Sequence, residues 1–230
     1  MLYLGCVTGT LGGAAVAQTR GLDPIHFAVA TCVLLVPAFA GARLWFVALN
    51  WPAFQPERGR IWRRGEGGWS VYGGLAGGFI ASFPLLAVAG IPLWRFWDAA
   101  AITMLIGLIL TRLGCAMNGC CGGRETSGWL GCWLPDHSNA WRRRVPTQLL
   151  EAGWGALVLA GALIMQSRLS LGGMLFAAVV AAYGAGRLVL EPLRESAGSA
   201  AGRHANVAAS VVLIVAGALA LLSTVTAHHA

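Results

Sequence analysis

The chain has 230 residues, of which 57% are apolar and 11% charged, with a net charge of +7. Soluble domains carry about a quarter charged residues, so water is not the only solvent this chain meets. Its basic charge lies between or inside apolar runs, which makes membrane lipid rather than nucleic acid the expected partner.

A helix needs about 20 apolar residues to cross the hydrocarbon core. Seven stretches reach or approach that length: 1–17, 26–49, 69–91, 97–117, 146–165, 171–190 and 207–226. The first is the weakest. It lacks the basic amino-terminal region of a signal peptide and is expected to be a short first helix. Pro37 and Pro84 fall inside spans, where neighbouring helices can satisfy the freed backbone groups. The 32 glycines suit helices that approach closely within lipid. The expected fold is all-α: a polytopic integral membrane protein of about seven transmembrane helices. It forms one domain over residues 1–230, with a short polar loop at about 118–145.

Ionisable groups inside apolar spans are costly and point to function by default. Arg43 follows a long apolar run; its bland explanation is a guanidinium that snorkels to the headgroups. Tyr72-Gly73-Gly74-Leu75 sets a hydroxyl beside a smooth helix surface, a pattern that helix packing alone also produces. Arg112 ends an otherwise uncharged run and has no partner nearby in sequence. After it comes the densest polar stretch, Asn118-Gly119-Cys120-Cys121-Gly122-Gly123-Arg124. Glycines there end the helix, and the exposed amides with flanking arginines form a candidate phosphate cradle, against the alternative of a plain turn. Pro146 opens the fifth long span, and Gln148 and Glu151, three apart, share a face as ligand groups or as interfacial caps. Arg187 and Glu191, four apart, either serve a site or neutralise each other.

All sixteen basic residues are arginine. The guanidinium fork grips two phosphate oxygens at once, which lysine does not; codon bias in a GC-rich genome also produces a lysine-free chain. Arginines crowd the loops after the even spans, at Arg58, Arg60, Arg63, Arg64, Arg124, Arg142, Arg143, Arg144, Arg194 and Arg203, against Arg20, Arg95 and Arg168 on the other side. By the positive-inside rule the even loops and the amino terminus are cytoplasmic, unless those arginines are kept for lipid phosphate. Cys6 and Cys32 lie in spans, whereas Cys115, Cys120, Cys121 and Cys132 gather around one loop. No C-x-x-C pair occurs, so no metal and no cofactor is expected. A disulfide, if the loop faces an oxidising compartment, and a reactive thiol near arginine remain open.

Five segments in order carry a resemblance: Gly41-Ala42-Arg43; Gly67-Gly68-Trp69-Ser70-Val71-Tyr72-Gly73-Gly74-Leu75; Arg112 to Gly119 with Gly123-Arg124; Arg144-Val145-Pro146-Thr147-Gln148-Leu149-Leu150-Glu151; and Tyr183 to Glu191. Together they resemble the bacterial prolipoprotein diacylglyceryl transferase family. The resemblance implies transfer of a diacylglyceryl group from phosphatidylglycerol to the lipobox cysteine of a prolipoprotein, in the bacterial inner membrane. It implies essential arginines at Arg112 and Arg187 and a signature turn at Asn118 and Gly119. Lipid-binding roles would fall to Arg43, Gly73, Gly74, Arg124, Gln148, Glu151 and Glu191. It also implies even loops outside the cytoplasm, opposite to the arginine distribution. One departure stands out. Tyr72 occupies the place of the family's usual histidine, and tyrosine is a poor general base at neutral pH. A phospholipid-binding or transport protein, or a lipid transferase with another acceptor, is the alternative; the lack of an internal repeat speaks against transport.

Overall fold

The computed structural model describes residues 1–63, 68–135, 140–168, 172–195 and 200–229. Arg64, Gly67 and residue 171, invoked above, lie outside the described residues. The chain runs through α1 (Leu2–Thr19), α2 (Pro24–Leu49), the short α3 (Trp51–Phe54), a 3-10 turn (Arg58–Trp62), α4 (Val71–Val88) and α5 (Leu93–Met117). A two-stranded ribbon follows, β1 (Cys132–Pro135) and β2 (Trp141–Arg144), then α6 (Thr147–Met165), α7 (Met174–Leu190), a 3-10 turn (Glu191–Leu193) and α8 (Ala200–His229).

Six of these helices are long and apolar enough to cross a membrane, and α1 is the long helix that falls short of them. Large apolar side chains such as Val7, Val36, Ile80, Val88, Leu157, Ile164 and Val189 face outward. So much exposed apolar surface would aggregate in water and is ordinary against lipid. The protein is a multi-pass helical membrane protein.

Local chemistry sets the helix ends. The Asp23 carboxylate accepts from the amides of Ile25 and His26, both at 2.8 Å, with Pro24 in the first turn of α2. Those backbone bonds, His26 foremost, hold the Asp23 carboxyl below its usual range. Pro37 and Pro84 are both accommodated inside helices, as expected.

Backbones come close where glycine permits it. Gly5, Gly9 and Gly13 form the buried stripe of α1, and a Cβ on Gly9 would stand 2.7 Å from the Thr103 carbonyl oxygen of α5. A Cβ on Gly73 would lie 2.5 Å from the Gly41 carbonyl oxygen, joining α4 to α2. Packing therefore explains Gly73. Gly74 is looser, with the Ala38 carbonyl oxygen at 3.4 Å from the added carbon.

The apolar core gathers where α5 begins. Phe27, Leu86, Phe96, Trp97, Ile102 and Leu175 are buried together, and Trp97 packs at a tilt against Phe176, with ring centroids 4.9 Å apart, and donates to Ser82 at 3.0 Å. Asp98, fully buried here, accepts from the amides of Gly173 and Phe176 at 2.9 Å each and meets the Arg20 guanidinium at 3.4 Å. It thereby caps the start of α7 with its charge satisfied. The polar groups of interest lie toward the other end, where α5 and α7 finish and α6 begins.

Among its described residues the polar loop carries a two-stranded ribbon that was not expected. Cys132 pairs with Arg144 and Pro135 with Trp141 across the antiparallel ribbon. The ribbon is anchored on the bundle by backbone bonds from Gly123 to Val145 (3.0 Å), Arg124 to Leu193 (2.9 Å) and Glu195 to Gly122 (3.2 Å).

Candidate functional site

Glu151 enters from the first turns of α6 and is 3% exposed, a position where a carboxylate needs cations. Three come to it. Arg112, near the end of α5, places Nε 2.6 Å from Glu151 Oε2, close enough for an ion pair but out of line for a hydrogen bond. Arg187, near the end of α7, donates from Nη1 to Glu151 Oε1 at 2.8 Å. Arg194, from the segment after α7, donates to the same oxygen. Arg187 also donates from Nη2 to Glu191 at 2.6 Å, and Asn206 of α8 holds the other Glu191 oxygen at 3.0 Å. Three guanidiniums against two carboxylates leave one net positive charge in a buried place.

Several polar atoms around this cluster are unspent. Arg187 Nε, the Tyr183 hydroxyl and Gln148 Oε1 are buried without hydrogen-bond partners among the described residues. Among those residues no hydrogen bond uses the Nη groups of Arg112 either. Buried polar atoms are nearly always satisfied in folded proteins, so orphans grouped in one place mark room for a polar ligand or water. Tyr72, 7% exposed, shares a 2.6 Å hydrogen bond with Ser210 of α8, and Ser210 in turn donates to the Asn206 carbonyl at 2.9 Å. Tyr72 and Tyr183 both lie within electrostatic reach of Arg187. Tyr72 thus borders the arginine cluster.

At the end of α5, Asn118 is an exposed cap residue and Gly119 turns the chain with φ at 64°, a conformation suited to glycine. Cys121 adopts φ of 60° without being glycine, which is uncommon and strained. Gln148 donates to the Cys120 carbonyl at 2.8 Å, and Thr147 to that of Cys121 at 3.2 Å. So Gln148 braces the turn rather than capping its own helix. The turn brings the sulfurs of Cys115, Cys120 and Cys121 within 4.8 Å of one another. The Cys121 thiol is drawn down by the Cys115 hydrogen bond and then by Arg112 and Arg194. Burial pushes Cys120 up.

Two predicted residues are engaged differently. Arg43 is 2% exposed and does not snorkel to the headgroups. It donates to the backbone carbonyls of Ile61 (2.6 Å), Gly68 (3.1 Å) and Arg60 (3.1 Å), with its guanidinium near the Phe54 ring. It holds the α2–α4 connection in place. Arg124 contributes backbone bonds to the ribbon's anchorage, and its side chain is exposed. Sequence reasoning missed Arg194, Asn206, Ser210 and Asp98 as organising groups. Asp98 carried a usable signal, a lone acid inside an apolar run, whereas Arg194 looked like any loop arginine.

Spanning helices that enclose an arginine–carboxylate cluster at one end of the bundle make this a polytopic membrane protein with a cationic, water-poor centre. The chain belongs to the prolipoprotein diacylglyceryl transferase family, whose model matches residues 1–223. It is 30% identical over 224 residues to the phosphatidylglycerol–prolipoprotein diacylglyceryl transferase of Symbiobacterium thermophilum, covering 93% of this chain and 80% of that one. The protein of the same name from Frankia alni is 31% identical over 96% of this chain and 61% of its own length. That from Tropheryma whipplei is 29% identical over 84% and 75%.

Proposed function

We propose that this protein transfers the diacylglyceryl group of phosphatidylglycerol to the lipobox cysteine thiol of a prolipoprotein, in the bacterial cytoplasmic (inner) membrane. The observation that carries the proposal is the cluster in which Arg112, Arg187 and Arg194 surround Glu151. In the reaction the acceptor sulfur forms a bond to the glyceryl carbon while the bond from that carbon to the phosphate oxygen breaks. Glycerol phosphate leaves with the electron pair, and the thiol proton passes to solvent. Negative charge therefore develops on the phosphate oxygen in a region from which water is largely excluded. Guanidiniums already fixed by carboxylates stabilise it without reorganising, often the largest contribution to such a rate.

The roles divide accordingly. Arg112, tied through Nε, presents its Nη edge to the phosphate, and Arg187 and Arg194 supply the remaining field. Glu151 and Glu191 hold the arginines at their working spacing. Gln148 keeps the Asn118–Cys121 turn in place, and Tyr72 positions a lipid oxygen or the acceptor. The end of the bundle carrying the cluster faces the extracytoplasmic side, where exported precursors present their lipobox. Crowding of arginine on that side then reflects phosphate binding rather than topology.

The test incubates purified protein with isotope-labelled phosphatidylglycerol and a lipobox peptide and measures the peptide's mass. A gain of one diacylglyceryl group on the cysteine peptide, absent from its serine counterpart, supports the reading. An unmodified cysteine peptide refutes it.

A further inference from the structure

Cys115, Cys120 and Cys121 play no part in the reaction just described, yet the fold gathers them beside it. Their three sulfurs lie within 4.8 Å of one another. Tetrahedral zinc with a Zn–S bond of about 2.3 Å sets its sulfurs roughly 3.8 Å apart, a distance within reach of small side-chain rotations here. The backbone is committed to this convergence. The Cys120 amide turns back to the Cys115 carbonyl at 3.1 Å, Gly119 supplies the reversal, and Cys121 is held in the left-handed region. Gln148 and Thr147, from the helix that carries Glu151, pin the carbonyls of Cys120 and Cys121. The surroundings also suit a thiolate-bound ion. Three thiolates around a divalent cation carry one negative charge, and Arg112 and Arg194 both lie within electrostatic reach of Cys121.

We propose that Cys115, Cys120 and Cys121 bind a zinc-class ion whose fourth position receives the acceptor thiol. The proposal rests on the transferase reading and supplies what that reading lacks. With Tyr72 in the histidine's place, and with Glu151 and Glu191 both committed to arginines, the acceptor thiol needs another means of losing its proton. A thiol that ligates zinc is deprotonated by the ion itself, and three protein ligands with one open position are the pattern of zinc sites that engage a substrate. The acceptor's proton is released to water. Its sulfur then forms the bond to the glyceryl carbon as the carbon–oxygen bond breaks and glycerol phosphate departs with the electron pair. The absence of a C-x-x-C pair, which argued against metal in the sequence, is offset by the turn at Gly119 that brings a C-x4-C-C pattern together.

The experiment measures metal directly. Protein purified without chelator is analysed by elemental mass spectrometry, alongside Cys115→Ala, Cys121→Ala and Cys132→Ala, with the elution profile and melting temperature of each as fold controls. One zinc per chain is expected in the parent and in Cys132→Ala, with loss from the other two at unchanged fold. Cobalt-substituted protein should show thiolate charge-transfer and tetrahedral ligand-field bands, and a lipobox peptide should shift the latter where its serine counterpart does not. A metal-free parent that takes up neither zinc nor cobalt, or a disulfide within the triad, overturns the site. Bound cobalt that ignores the peptide thiol overturns the acceptor role. A thiol-dependent shift without lipidated product leaves the metal site standing and removes the transferase reading instead.

Discussion

Replacing Arg112 by lysine keeps the positive charge and removes the fork. Arg112 is anchored through Nε, 2.6 Å from Glu151, and its Nη edge is what remains for phosphate. A lysine has one nitrogen for both tasks and cannot span two phosphate oxygens. Losing one charge-assisted hydrogen bond in the transition state costs about 1.5–3 kcal/mol. At about 1.4 kcal/mol per tenfold in rate, kcat should fall roughly 10- to 150-fold. Alanine forfeits at least two such bonds, about 3–6 kcal/mol, or roughly a hundred- to ten-thousand-fold. Neither change should unfold the protein, because Glu151 keeps Arg187 at 2.8 Å and Arg194 as partners. The assay follows diacylglyceryl transfer to a lipobox peptide at saturating phosphatidylglycerol, with melting temperature as the control. A lysine variant working near the parent rate would refute the reasoning.

Three further outcomes are expected. Arg187→Ala combined with Glu191→Ala should stay as inactive as Arg187→Ala alone, because Arg187 also binds Glu151 and Glu191 also holds Asn206; recovery in the double variant would reduce the pair to mutual neutralisation. Tyr72→Phe removes the 2.6 Å bond to Ser210 together with the hydroxyl's interaction with Arg187, and should lower the rate about tenfold, the worth of about one hydrogen bond. Complete loss with phosphatidylglycerol binding intact would make Tyr72 the base. Cys132, exposed on β1, should react in intact cells with a membrane-impermeant maleimide; labelling only after permeabilisation would place the arginine cluster on the cytoplasmic side.

Much of the fold was legible because a bilayer demands long apolar helices, and their ends follow from proline, asparagine and glycine chemistry. The weakness of the first span was real. Its α1 relies on Gly5, Gly9 and Gly13 against α5 rather than on hydrophobic length. The ribbon was not legible: Cys132–Pro135 and Trp141–Arg144 are too short to show a strand period, and their pairing depends on the bundle beneath. In the site, Arg112, Arg187, Glu151 and Glu191 stood out individually, since an ionisable group in an apolar run is rare. Their meeting was hidden, because Arg112 and Glu151 are brought together by α5 packing on α6, which no local pattern encodes. Arg43 shows the limit of the same rule: its expense is real, but backbone carbonyls satisfy it.

Asp98 binds the first turn of α7, while Glu151 and Glu191 bind Arg187 in its last turn. Seventeen residues lie between Met174 and Leu190 inclusive, about 26 Å of helix at 1.5 Å per residue. A rod fastened by ions at both tips cannot slide along its axis, since a shift of one residue would break both fastenings together. The distance of Arg187 from Asp98 is therefore a fixed dimension of the protein, set from the opposite end of the bundle. An amino-acid change at Asp98 would loosen that dimension and disturb the arginine cluster from the opposite end of the bundle.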